Sequence, residues 1–148
     1  MNRNPQYIDS LDGITPAMLK GFFDGWPAPP SPETHLRILR GSALVILAVD
    51  RSAGRVAGFI TALSDGVISA YLPLLEVLPE YRGQGIGREL VTRMLRTLDD
   101  LYMIDVVCDP EIVPFYERLG FARGTAMMRR HYARQSGRPG SAGAEAAS

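Results

Sequence analysis

The sequence has 148 residues, 46% hydrophobic and 22% charged, the balance of one compact globular domain rather than of a disordered chain. Lysine plus arginine equal aspartate plus glutamate at 16 each, so no global field draws the chain toward nucleic acid or an anionic membrane. Cys108 is the only cysteine, and His35 and His131 are the only histidines, so an intrachain disulfide is excluded and no metal site is expected.

Residues 1–10 lack a basic n-region and an apolar h-region, and no apolar run approaches the length of a bilayer span, so the expected location is the cytoplasm. Residues 7–9 predict a short strand. Thr15-Pro16 then offers a cap and a first helical position for a helix to about Phe23. Trp26-Pro27-Ala28-Pro29-Pro30 forbids regular helix, and Ser31-Pro32-Glu33 opens a second one that ends near Gly41. Residues 43–49 are a short, continuous apolar run that reads as a buried strand, and 55–63 follows after a brief turn, which predicts an antiparallel hairpin. The apolar stretch 67–78 is interrupted by Pro73, which cannot donate to a ladder and predicts an edge, a bulge or a splay.

From 86 to 101, Ile86, Leu90, Val91, Met94, Leu95, Leu98 and Leu101 recur at helical spacing and define one buried face. A strand at 103–107, a short helix at 111–119 and a last strand at 121–132 complete a mixed order of α and β. The domain is expected to occupy 1–133, with 134–148, largely Gly, Ala and Ser, as a flexible tail.

The chemistry concentrates at Arg82-Gly83-Gln84-Gly85-Ile86-Gly87, between the 67–78 stretch and the long helix. A loop of this kind aims unpaired backbone amides and the positive end of a helix at one point, which makes an anion site. A dinucleotide fingerprint would need glycine where Arg88 stands, and the Gly-Lys-Ser/Thr of a P-loop is absent. A tight turn that binds nothing remains open on the hexapeptide alone.

Val77-x-Pro79-x-x-Arg82-Gly83-x-Gly85-Ile86-Gly87-x-x-Leu90 resembles motif A of the GNAT acetyltransferases, and Pro114-Phe115-Tyr116-Glu117-Arg118-Leu119-Gly120-Phe121 resembles their motif B. The two occur in the right order, and the resemblance extends over 43–130. It implies a GNAT fold of class α/β (α+β): a central, mixed, mostly antiparallel twisted sheet of six to seven strands with about four helices, splayed to form an acetyl-CoA cleft. Leu75, Glu76 and Val77 would then offer strand-like pairing to pantetheine. The amides of Gly83, Gln84, Gly85, Ile86, Gly87 and Arg88 would cradle the pyrophosphate, with the side chains of Arg82 and Arg88 as charge partners.

Acyl transfer to an amine needs a neutral nitrogen, a donor to the oxyanion and a proton for the departing thiolate. The backbone amide of Val77 suits the second need, and Tyr116, at the motif B tyrosine, suits the third. Glu76, a carboxylate in an apolar stretch, is the candidate base or amine anchor, although a solvent-facing role fits it as well. Asp109 stands where many relatives have asparagine beside pantetheine, and it could instead cap the following helix. Phe22, Phe23 and Trp26 lie where the resemblance puts the acceptor wall, with core packing open for the two phenylalanines. Cys108 has no visible base, so direct attack in a ternary complex is expected. The implied activity is N-acetyl transfer from acetyl-CoA to a small-molecule or peptide primary amine, with a homodimer as a further expectation. A non-catalytic CoA-binding module of the same fold is the alternative.

Overall fold

A computed structural model describes residues 4–137. Its order is β1 (Gln6–Ile8), α1 (Pro32–Gly41), β2 (Leu44–Asp50), β3 (Arg55–Ser64), β4 (Ser69–Tyr71), β5 (Leu75–Val77), α2 (Ile86–Thr97), β6 (Met103–Asp105) and α3 (Val113–Glu117), with short 3₁₀ turns between. The sheet has six strands in the order β1-β2-β3-β4-β6, and β5 pairs with β3. All pairs are antiparallel except β4 with β6.

Local signals explain the helices. Ser31 caps α1 by accepting the Thr34 amide at 3.1 Å, Pro32 takes the first turn, and His35, Leu36 and Leu39 form its buried face. Helix α2 buries Ile86, Leu90, Val91 and Met94 against β2 and β3. Each such side chain removed from water contributes about 1.5–3 kcal/mol, which outweighs the poor intrinsic stability of a 12-residue helix. The β2–β3 hairpin turns through Gly54, at φ +64°. Asp50 fixes that turn by accepting from Ser52 Oγ and Ala53 N, and its other oxygen accepts Tyr81 Oη at 2.6 Å. The Tyr81 hydroxyl is the largest of the influences that hold the Asp50 carboxyl down at about 2.

Pro73 sits at a bulge. Leu63 faces Tyr71 while Ile60 faces Leu75, so the second strand carries one residue more than β3 across the same interval. The same point is where the sheet splits. Leu72 N–H donates to Asp105 O at 2.9 Å, and beyond that rung β5 follows β3 while the chain after β6 diverges.

Several expected boundaries change. The helix predicted from Thr15 to Phe23 is only a 3₁₀ turn, Pro16–Leu19, because Lys20 is extended and Gly21 turns at φ +95°. That leaves three α-helices where about four were expected. The long helix stops at Thr97, and the helix expected at 111–119 is a 3₁₀ turn, Pro110–Ile112, followed by α3. The last strand expected at 121–132 does not form: the segment has no strand partner and ends in a 3₁₀ turn at Tyr132–Arg134. Most of the predicted tail, 138–148, lies outside the described residues. Just before it, Gln135 Oε1 accepts the Ala28 amide at 3.0 Å.

Candidate active site

The site begins at the glycine loop. Gly83 and Gly85 have φ of +79° and +81°, a left-handed conformation that favours glycine, and nothing lies within 4 Å of where their β-carbons would be. The first hydrogen bond of α2 runs from Glu89 N to Gly85 O, and Arg82 N bonds back to Pro79 O. Between them, the consecutive amides of Gly83, Gln84, Gly85, Ile86, Gly87 and Arg88 have no acceptor among the described residues. Free amides, open space and a helix N-terminus fit a pyrophosphate.

Beside the loop runs the free edge of β5. The bonds Thr61 N to Leu74 O and Leu78 N to Ala57 O set the antiparallel alternation. It turns the main-chain groups of Glu76 toward β3 and those of Leu75 and Val77 toward the cleft. Arg82 Nε donates to the Val77 carbonyl at 2.9 Å, and its guanidinium lies 3.7 Å from Asp24, so this side chain braces β5 instead of reaching over the loop. Arg88 is exposed and has no ion-pair partner among the described residues.

The two sequence motifs meet at Gly87. A β-carbon there would lie 3.8 Å from Val77 Cγ2 and 3.9 Å from Phe115 Cζ, so α2, β5 and α3 converge on this residue. Tyr116, next to Phe115, is buried and packs edge-on against Phe115 and Phe121 at 5.0 and 5.3 Å. Burial, with a smaller contribution from Cys108, pushes its phenol up to about 12, so the proton stays on the oxygen at neutral pH. Asp109 is exposed at the start of the Pro110–Ile112 turn and makes no side-chain cap there; its carbonyl accepts Ile112 N instead.

Glu76 lies on the opposite face of β5 from Val77. Its Oε1 accepts the Phe23 amide at 2.8 Å and its Oε2 the Asp24 amide at 3.2 Å. Desolvation raises its pKa above the ordinary carboxyl value, against the lowering effect of these two bonds. Phe22 and Phe23 are buried, packed against His35 and Phe59. Trp26 is 38% exposed, its ring 4.9 Å from Phe23, and it is the member of this trio open to solvent.

Two residues of this region carried no assigned role in the sequence. Gly58 lets β3 approach β5 and α2, since a β-carbon there would meet Glu76 O and Val77 Cγ2 at 3.2 Å and Ile86 Cγ2 at 3.3 Å. An isolated glycine inside a strand pattern is the signal that could have found it. His35 is 1% exposed, and neither ring nitrogen has a hydrogen-bond partner among the described residues. Its place beside Leu36 and Leu39 on the apolar face of α1 was the available clue. No cluster of three or more metal-ligating side chains occurs among the described residues, and none of their helices is long and apolar enough to cross a membrane.

The Acetyltransferase (GNAT) family matches residues 11–121, and the chain belongs to that family. A candidate acetyltransferase from Deinococcus radiodurans R1, solved by crystallography, is 51% identical with a TM-score of 0.89 over 92% of this chain and 94% of that one. Serotonin N-acetyltransferase 2, chloroplastic, of Oryza sativa subsp. japonica is 33% identical over 81% of this chain and 66% of its own length. Histone acetyltransferase TAP1 of Glycine max is 32% identical over 66% of this chain and 46% of its own. The chain thus spans about half to two thirds of these plant relatives.

Proposed function

We propose that the chain is an N-acetyltransferase that moves the acetyl group of acetyl-CoA to a primary amine, on a small molecule or a peptide, by direct attack in a ternary complex. The observation that carries this reading is the run of acceptor-free amides from Gly83 to Arg88, set against the free edge of β5. The loop amides, with Arg88, hold the pyrophosphate, and the outward groups of Leu75 and Val77 pair with pantetheine.

Acetyl-CoA supplies the acyl group as a thioester. Val77 N–H donates to the thioester carbonyl and strengthens as charge grows on that oxygen. Tyr116, protonated well beyond neutral pH, gives its proton to the departing sulfur as the C–S bond breaks, and the second proton shed by the newly acylated nitrogen restores the phenol. Glu76 draws the acceptor's ammonium group and takes its proton. An amine resembling lysine is only about one part in a thousand neutral at pH 7, so this step is needed. The carboxylate keeps a lone pair on each oxygen beyond those bonded to Phe23 and Asp24. The exposed face of Trp26 is the acceptor wall. The two plant relatives carry serotonin and histone in their names, which supports an amine acceptor without choosing its size.

The test has two parts. Acetyl-CoA should stabilise the folded chain against heat, by about 2.7 kcal/mol at a hundred times its Kd. Thiol should then be released with at least one member of a panel of aryl, alkyl and peptide amines. Stabilisation without thiol release for any amine would establish a non-catalytic CoA-binding module instead, and no stabilisation would overturn the loop assignment.

A further inference from the structure

Residues 82–85 lie between the Pro79–Tyr81 turn and α2, and the amides from Gly83 to Arg88 have no acceptor among the described residues. Gly83 and Gly85, both at positive φ, add conformational freedom to a stretch that main-chain bonds do little to order. A loop that keeps its amides free for a ligand must take its order from its two ends. Helix α2 fixes one end, through the bond from Glu89 N to Gly85 O. The other end is the Pro79–Tyr81 turn, and it is gripped by side chains of the β2–β3 hairpin.

Those side chains form one cross-strand pair. Asp50 and Arg55 stand opposite each other where β2 turns into β3. Tyr81, 1% exposed, donates its hydroxyl to Asp50 Oδ2 at 2.6 Å, and Arg55 Nη1 donates to Glu80 Oε1 at 2.9 Å. Two consecutive residues at the root of the loop are thus held by the two residues that close the hairpin. Arg55 has a second arm: its Nη2 donates to the Lys20 carbonyl at 3.1 Å, in the segment that leads to Phe22 and Phe23. We propose that Asp50 and Arg55 are positioning residues for acetyl-CoA, fixing the Pro79–Tyr81 turn and with it the direction of the loop amides before the donor arrives. Through Lys20, Arg55 extends the same grip to the acceptor side. This rests on the CoA reading of the loop given above, and it assigns the β2–β3 hairpin a part in donor binding.

Calorimetric titration of the full chain with acetyl-CoA tests it. Tyr81→Phe keeps the buried ring and deletes the hydroxyl, and its Kd should rise about ten-fold. Asp50→Asn should do the same, and the double variant should be no weaker than the weaker single one, because both changes break one link. Glu80→Gln, at an exposed position, gives the same readout without touching the core. Like Asp50→Asn, it removes a negative charge near an anion site, which by its field alone would tighten binding, whereas loss of the grip should weaken it about three-fold. Arg55→Met should also raise the acceptor KM in thiol release, which Tyr81→Phe should leave unchanged. Ser31→Ala, which removes the α1 cap, is the control for general destabilisation and should lower the melting temperature at constant Kd. Unchanged or tighter binding in Tyr81→Phe and Glu80→Gln, additive effects in the double variant, or an equal loss of affinity in Ser31→Ala would each overturn the proposal. An unchanged acceptor KM in Arg55→Met would overturn its acceptor part alone. A wild-type chain that does not bind acetyl-CoA would overturn the loop assignment itself, and this proposal with it.

Discussion

Glu76 accepts the amide of Phe23, which stands 53 positions earlier in the chain, at 2.8 Å, and Phe23 is the one described non-glycine residue with a positive φ, +63°. A carboxylate on β5 thus holds a strained turn that packs against Trp26. Glu76→Ala removes the acceptor of the part-buried Phe23 amide and of the exposed Asp24 amide, and the first loss should cost about 1–3 kcal/mol of stability. Glu76→Gln keeps one carbonyl oxygen for them, so it should melt close to the wild type while thiol release falls about a hundred-fold. Full turnover in Glu76→Gln would leave the residue a structural clamp only. Because its pKa is raised, the rise of kcat/KM with pH should lie above the ordinary carboxylate range.

Tyr116→Phe keeps the edge-on packing against Phe115 and Phe121 and deletes only the hydroxyl. Thermal stability and CoA affinity should be retained, while turnover drops by about 10²–10⁴. Unchanged turnover, measured by thiol release at saturating acceptor, would remove the tyrosine from the acid role.

His35 gives the fold a pH dependence of its own. Burial lowers its folded pKa to about 4 from the ordinary imidazole value of 6.5. Between those values the unfolded chain binds more protons than the folded one, so the folded state is favoured above about 6.5 and loses about 3 kcal/mol as pH falls to about 4. Urea midpoints at a series of pH values should show this slope, and His35→Leu should flatten it. A wild type equally stable at both ends of the window would contradict the burial.

Gly58→Ala places a methyl group at 3.2–3.3 Å from the carbonyl of Glu76 and the side chains of Val77 and Ile86. Overpacking of this kind costs about 1–3 kcal/mol. Because the neighbours are the cleft strand and the first residue of α2, CoA affinity should fall together with the melting temperature. A variant as stable as wild type with unchanged affinity would show that the strand yields freely.

What the sequence disclosed was local. The glycine loop, the hairpin from β2 to β3, the buried face of α2 and the disturbance at Pro73 are all written in nearest-neighbour spacing, and each lies where expected. What it hid depends on distant partners. The link from Glu76 to Phe23, the brace from Arg82 to Val77 and Asp24, and the close approach at Gly58 are set by how strands meet. Residues 121–132 show the limit from the other side: strand-like composition yields no strand where no neighbouring strand bonds to it. The helix expected to reach Phe23 failed on Gly21, a residue the pattern had passed over.

The bulge at Leu72 and Pro73 decides more than the direction of β5. Side chains alternate along a strand, so one added residue inverts the parity of everything after it. With it, Glu76 stands opposite Phe59 and shares the aromatic face with Phe22, Phe23 and His35, while Val77 stands opposite Gly58 toward α2. Were the register of β4 carried on unbroken, Glu76 would stand opposite Gly58 instead, and its carboxylate would be delivered to the helix side, out of reach of the Phe23 turn. A single inserted residue thereby sorts Val77 and the Glu76 carboxylate onto the two faces of one strand.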